Sequence, residues 1–117
     1  MKKVTGRFYF KKTDNGNLQG EYSNNFTTKV YTESATIISD YTGKNNFVGS
    51  YNASWVESNE IESFSACLEI NKKENSINIY SLIWKHSENI LFTGEAMLSD
   101  GMLIGNYQNQ KEGLLHS

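Results

Sequence analysis

The chain has 117 residues, a formal net charge of −2, a pI near 5.6, 13% aromatic residues, nine glycines and no proline. That length fits one domain with one core, and the balance of aromatics and turn formers suits short strands rather than a helix bundle. Lys and Arg are scattered, with no run longer than the pairs Lys2-Lys3, Lys11-Lys12 and Lys72-Lys73, so the basic face that nucleic-acid binding requires is missing.

Turn signals divide the chain at short intervals. They are Asp14-Asn15-Gly16, Asn24-Asn25, Thr42-Gly43-Lys44-Asn45, Ser58-Asn59-Glu60, Lys73-Glu74-Asn75, Ser87-Glu88-Asn89 and Asp100-Gly101. Asn, Asp and Gly accept the positive φ angles of tight hairpins. Between them the alternation predicts eight strands, at about 4–12, 17–24, 28–38, 46–57, 62–72, 76–86, 90–99 and 102–109. The third is the least regular, because Thr32-Glu33-Ser34-Ala35 could form a helical turn while Val30, Tyr31, Ile37 and Ile38 favour a strand. Eight strands with short links predict an antiparallel up-and-down β-barrel over residues 1–110 with a tail at 111–117. A two-sheet β-sandwich is the alternative.

Three segments repeat one pattern: Leu18-x-Gly20-x-Tyr22, Phe47-x-Gly49-x-Tyr51 and Leu103-x-Gly105-x-Tyr107. The hairpin Thr5–Tyr22 also aligns with Thr93–Tyr107 if three residues are dropped near the turn. Alternate residues of a strand share a face, so each glycine lies between two bulky neighbours. There it relieves crowding at a bend, or lets a ring lie over the backbone, while the tyrosine fills the interior and carries a polar tip. The same registers predict an aromatic, uncharged inner face. It includes Asn24, Ala53 and Trp55, then Phe64, Ala66, Leu68 and Ile70. Tyr80, Leu82 and Trp84 follow, then Ile90, Phe92, Gly94 and Ala96. Strands six to eight are also apolar outside, with Ile77, Ile79, Ile83, Leu91, Met97, Met102 and Ile104. A sheet that is apolar on both faces is expected to be covered, here by a second copy in a homo-oligomer.

Two stretches carry a family resemblance. Ile77–Ala96, INIYSLIWKHSENILFTGEA, is similar to the central hairpin of the avidin and streptavidin proteins, a calycin-like family. Phe8–Asn25, FYFKKTDNGNLQGEYSNN, resembles their early hairpin. The resemblance implies an eight-stranded barrel, face-to-face oligomers and a ligand site at one mouth. It puts Tyr22 and Asn24 in the places of ligand-orienting Tyr and Ser residues, and Trp84 and Phe92 as rings packed on the ligand. The family's further tryptophans and late aspartate have no counterpart here, and Ile90 stands where the family has a hydroxyl, so biotin is not the expected ligand.

No catalytic constellation is present in the sequence. Cys67 cannot form an intrachain disulfide and reads as a packing thiol. His86 and Glu88 flank a turn, where an acid–base pair is conceivable and a solvated turn is the simpler reading. His116 lies in the tail. No His/Cys or Asp/Glu spacing suits a metal, no Gly-rich loop suits a phosphate, and no cofactor is called for. Asn25–Thr27 and Asn52–Ser54 match glycosylation acceptors, but no secretory leader precedes them. No apolar run approaches membrane-spanning length, so a cytoplasmic protein is expected.

The expected function is non-enzymatic binding of a small, mostly apolar ligand in an aromatic barrel interior. Tyr22, Asn24, Tyr51, Trp55, Tyr80, Trp84, Phe92 and Tyr107 are the candidate contacts. The alternative is a filled barrel that acts through its outer surface, by self-assembly or by binding a protein partner. Interior volume separates the two, since ligand cavities usually measure roughly 300–1,000 Å³.

Overall fold

The turn signals deliver the strands they predict. The computed structural model describes residues 3–38, 46–56 and 63–109. The predicted tail, His116, and the turn signals at 42–45 and 58–60 lie outside the described residues. The strands are β1 (Thr5–Lys12), β2 (Leu18–Asn24), β3 (Tyr31–Ile37), β4 (Gly49–Val56), β5 (Ser63–Lys72), β6 (Ile79–His86), β7 (Asn89–Ser99) and β8 (Met102–Asn109), with no helix among the described residues. Each pairs antiparallel with the next, and β8 pairs back onto β1, so the sheet closes as an up-and-down barrel. Closure leaves no free edge, and the sandwich alternative falls.

Local backbone chemistry sets the hairpins. Asp100 and Gly101 both have positive φ, 53° and 78°, the signature of the two-residue turn whose twist matches its strands. Gly16 has φ 93° in the β1–β2 link, where its N–H donates to the Thr13 carbonyl at 3.0 Å. In β3 the period of two prevails over the helical alternative. Tyr31, Glu33 and Ala35 are buried, while Thr32, Ser34 and Thr36 are exposed.

The glycines of the repeated motif permit close strand approach. A Cβ on Gly20 would lie 1.8 Å from the Tyr9 carbonyl oxygen, and one on Gly105 would lie 2.1 Å from that of Glu95. No side chain fits at such distances. The barrel wall therefore curves over glycine, and the tyrosine two residues on fills the space inside.

Two expectations need correction. Ile90 does not face inward. Trp84 pairs with Phe92 but Lys85 pairs with Ile90, so a β-bulge inserts Leu91 and reverses the phase. Ile90 is exposed, and Leu91 packs against the core instead. Nor is the outside of β6–β8 continuously apolar. Ile79, Met97 and Ile104 are cross-strand neighbours and form one exposed or half-buried row. Ile83 faces Thr93, and the ion pairs Lys73–Glu95 at 2.8 Å and Lys85–Glu69 at 3.0 Å break the remainder.

The two ends of the barrel differ. At one end Phe10, Leu18, Phe47, Tyr51, Ile70, Leu82 and Leu103 are all buried to 1% exposure or less. The Tyr51 hydroxyl donates to the Phe47 carbonyl at 2.9 Å, and the Lys12 ammonium sits 6.0 Å and 5.9 Å from the Phe47 and Tyr51 ring centres. That end is sealed. The other end carries the larger rings and the polar tips.

Candidate functional site

The open end is built from residues four or so positions along each strand from the sealed one. Trp55 stands four residues beyond Tyr51 on β4, and Trp84 four beyond Tyr80 on β6. Antiparallel order brings them level with Tyr22 and Asn24 at the end of β2, Phe92 near the start of β7 and Tyr107 near the end of β8. Together with Val4, Phe8 and Glu33 these residues line a cavity of about 80 Å³ at the barrel mouth.

Of the eight candidate contacts, Tyr22, Asn24, Trp55, Trp84, Phe92 and Tyr107 meet in this one cavity. Tyr51 and Tyr80 do not. Their registers put them at the sealed end, where Tyr51 pairs with Leu68 and Tyr80 with Lys72. Burial pushes the Tyr51 hydroxyl up to about 12, so it remains a neutral donor to the Phe47 carbonyl.

The rings hold one another by edge-to-face contact. Phe92 meets Tyr107 at 5.5 Å between ring centres and 88°, and Trp84 meets Phe8 at 5.5 Å and 84°. Trp55 meets Phe92 at 6.2 Å and stacks on the rim residue Phe64 at 6.4 Å. Each such pair contributes about 0.5–1.5 kcal/mol beyond area burial, so the cage is stiff without a ligand. Polar atoms are also fixed. The Asn24 amide donates to the Tyr107 hydroxyl at 2.9 Å, while its carbonyl accepts the Phe26 N–H at 2.8 Å. The Tyr22 hydroxyl donates to the Val56 carbonyl at 2.6 Å.

Sequence reasoning missed the acid in this cavity. Glu33 on β3 is 7% exposed, and its Oε2 accepts the Trp84 indole N–H at 2.8 Å across the barrel interior. That is the one hydrogen bond to its carboxyl among the described residues. Burial raises it from the usual carboxylate value to about 7, partly offset by the indole hydrogen bond. A carboxyl so placed exchanges its proton near neutrality. The signal was in the strand alternation, since Glu33 lies midway between Tyr31 and Ala35 on one face.

The volume decides how much of a ligand can enter. At about 80 Å³ the cavity is far below the range typical of whole-ligand sites, so most of the interior is filled by side chains. What remains holds about three water molecules at roughly 30 Å³ each, or a head group of a few heavy atoms. Other reactive residues stand apart. Cys67 lies half-buried on the outer face, paired in register with Lys85, rather than in the core. His86 and Glu88 are exposed on the β6–β7 turn. No cluster of three His, Cys, Asp or Glu side chains suits a metal among the described residues. Among the described residues no helix is long and apolar enough to cross a membrane, which says nothing of strands.

No protein-family model, curated protein or solved structure matches the chain.

Proposed function

We propose that this chain is a non-enzymatic binding protein that seats a small, mostly apolar ligand group at the open mouth of its barrel. One observation carries the reading. Among the described residues the barrel is sealed at one end and lines a cavity at the other, where six rings, the Asn24 and Glu33 side chains and the Tyr22 and Tyr107 hydroxyls converge. A merely structural barrel gains nothing by leaving space beside a buried carboxyl, because an underpacked, partly hydrogen-bonded acid costs stability. Native mass spectrometry of gently purified protein tests the reading together with tryptophan fluorescence. An adduct lost on activation, and an emission change that Trp84→Phe diminishes, are the expected results. A bare chain whose emission is silent across a panel of small metabolites would sink the proposal.

A second reading concerns the outside of the barrel. The row of half-buried Ile79 and exposed Met97 and Ile104, with exposed Ile77 two residues before it in the chain, favours self-association of two copies through the face of β6–β8. It is compatible with ligand binding at the mouth. Sedimentation of wild type against Met97→Lys tests it, and a wild type that sediments as a monomer removes it.

A further inference from the structure

Among the described residues, the mouth cavity holds one acid and no base. Glu33 is more than nine-tenths buried and lines the cavity, with Trp84 Nε1 as the partner of one carboxyl oxygen. None of the lining residues is Lys, Arg or His. The residues that line the cavity with Glu33 are Val4, Phe8 of β1, Tyr22 and Asn24 of β2, Trp55 of β4, Trp84 of β6, Phe92 of β7 and Tyr107 of β8. Only the two phenols among them can titrate, and neither supplies a positive charge.

The carboxyl and the aromatic faces of this wall favour the same sign of guest. Aromatic faces carry negative charge density and attract cations, most strongly when water is excluded. A buried carboxylate without a counter-ion is costly, and a cation arriving beside it removes that cost. An anion would meet like charge in a site without a base. A neutral guest would leave the carboxyl as it was. Size narrows the choice to a head group of roughly four heavy atoms, and the apolar ring faces suit one whose surface is alkyl carbon rather than N–H donors.

We propose that the cavity takes a small alkylated ammonium head group, with Glu33 as its counter-ion and the rings of Trp55, Trp84, Phe92 and Tyr107 around its alkyl carbons. This rests on the reading of the barrel as a binding module and names the chemistry of its guest. Binding selects the carboxylate form, so each cation that enters displaces the proton that burial holds on Glu33 up to about pH 7.

The test compares three probes of equal heavy-atom count on the intact chain: trimethylammonium, 2-propanol and acetate. The readout is the Trp84 indole N–H resonance, which reports the Glu33 hydrogen bond directly. Four heavy atoms limit affinity to roughly tens of micromolar at best, so titrations run to about 100 mM at constant ionic strength. Trimethylammonium is expected to shift the resonance saturably, with an affinity that rises more than about tenfold from about pH 5.5 to about pH 8. Glu33→Gln keeps an acceptor for the indole, and it is expected to weaken trimethylammonium by at least about tenfold. Should 2-propanol or acetate bind as tightly, or Glu33→Gln leave trimethylammonium unaffected, the cation assignment is overturned and the binding module stands. Silence of all three probes overturns both. The comparison of probes uses wild type alone, so it does not depend on the variant's folding.

Discussion

Replacing Glu33 by Gln should stabilise the barrel above neutral pH and leave it nearly unchanged in acid. The carboxyl is raised in the fold from 4.5 to about 7. Between those values the folded chain keeps a proton that the unfolded chain has released. Stability therefore falls as pH rises through that window, and the full penalty is present above it. A difference of about 2.5 units at 1.36 kcal/mol each gives a penalty of about 3 kcal/mol at about pH 8. Gln has nearly the same shape, keeps an oxygen for the Trp84 indole 2.8 Å away, and cannot ionise. Urea unfolding of both proteins at about pH 4 and about pH 8 isolates the effect as a difference of differences, because titrations elsewhere cancel. The variant's advantage should grow by about 3 kcal/mol from the acid to the alkaline condition, equivalent to about 10 °C in midpoint for a chain of this size. A gap between the two proteins that does not change with pH would refute the assignment of Glu33 as a buried, proton-holding acid.

Four further outcomes are expected. Gly20→Ala places a Cβ 1.8 Å from the Tyr9 carbonyl oxygen, so it should cost more than about 3 kcal/mol in urea unfolding. Gly101→Ala, with φ 78° and nothing within 4 Å, should cost about 1 kcal/mol by the same assay. Tyr51→Phe removes the donor to the Phe47 carbonyl and should cost about 1–2 kcal/mol, while spectroscopic titration of wild type should show one phenol that resists ionisation to about pH 12. Met97→Lys puts a charge in the middle of the Ile79–Met97–Ile104 row, so sedimentation should show weaker self-association with no loss of thermal stability.

Much of this barrel can be read from its turns. Asp100-Gly101 and Asn15-Gly16 mark hairpins by chemistry that acts within two or three residues, and the strand ends follow from them. The aromatic mouth was legible for a similar reason. Period-two counting from Tyr22, Trp55, Trp84 and Tyr107 needs only that the strands pair in order. What escaped depends on partners distant in the chain. Alternation puts Glu33 on the face of Tyr31 and Ala35, but only closure of the sheet puts it opposite Trp84. The bulge at Trp84/Lys85 leaves the turn residues intact while shifting Ile90 by one position, so alternation carried it to the wrong face. Tyr51 and Tyr80 satisfy the same local pattern as the mouth residues. Which end of a barrel stays open is set by how the far rings and Phe47 pack, and no local pattern encodes that.

The pairing of β1 with β8 has a kinetic consequence. Seven of the eight strand pairings join neighbours along the chain, but the eighth joins Thr5 to Gln108 and Lys11 to Met102. Bringing such distant segments together costs about 2 kcal/mol more chain entropy than a ten-residue hairpin does. The meander can therefore assemble hairpin by hairpin, while this seam waits for the last strand and zips late. It is also where opening should begin. Tyr107 of the mouth cage lies on the seam, so a guest gripped by that ring acts as a clasp on the last join of the cylinder to close.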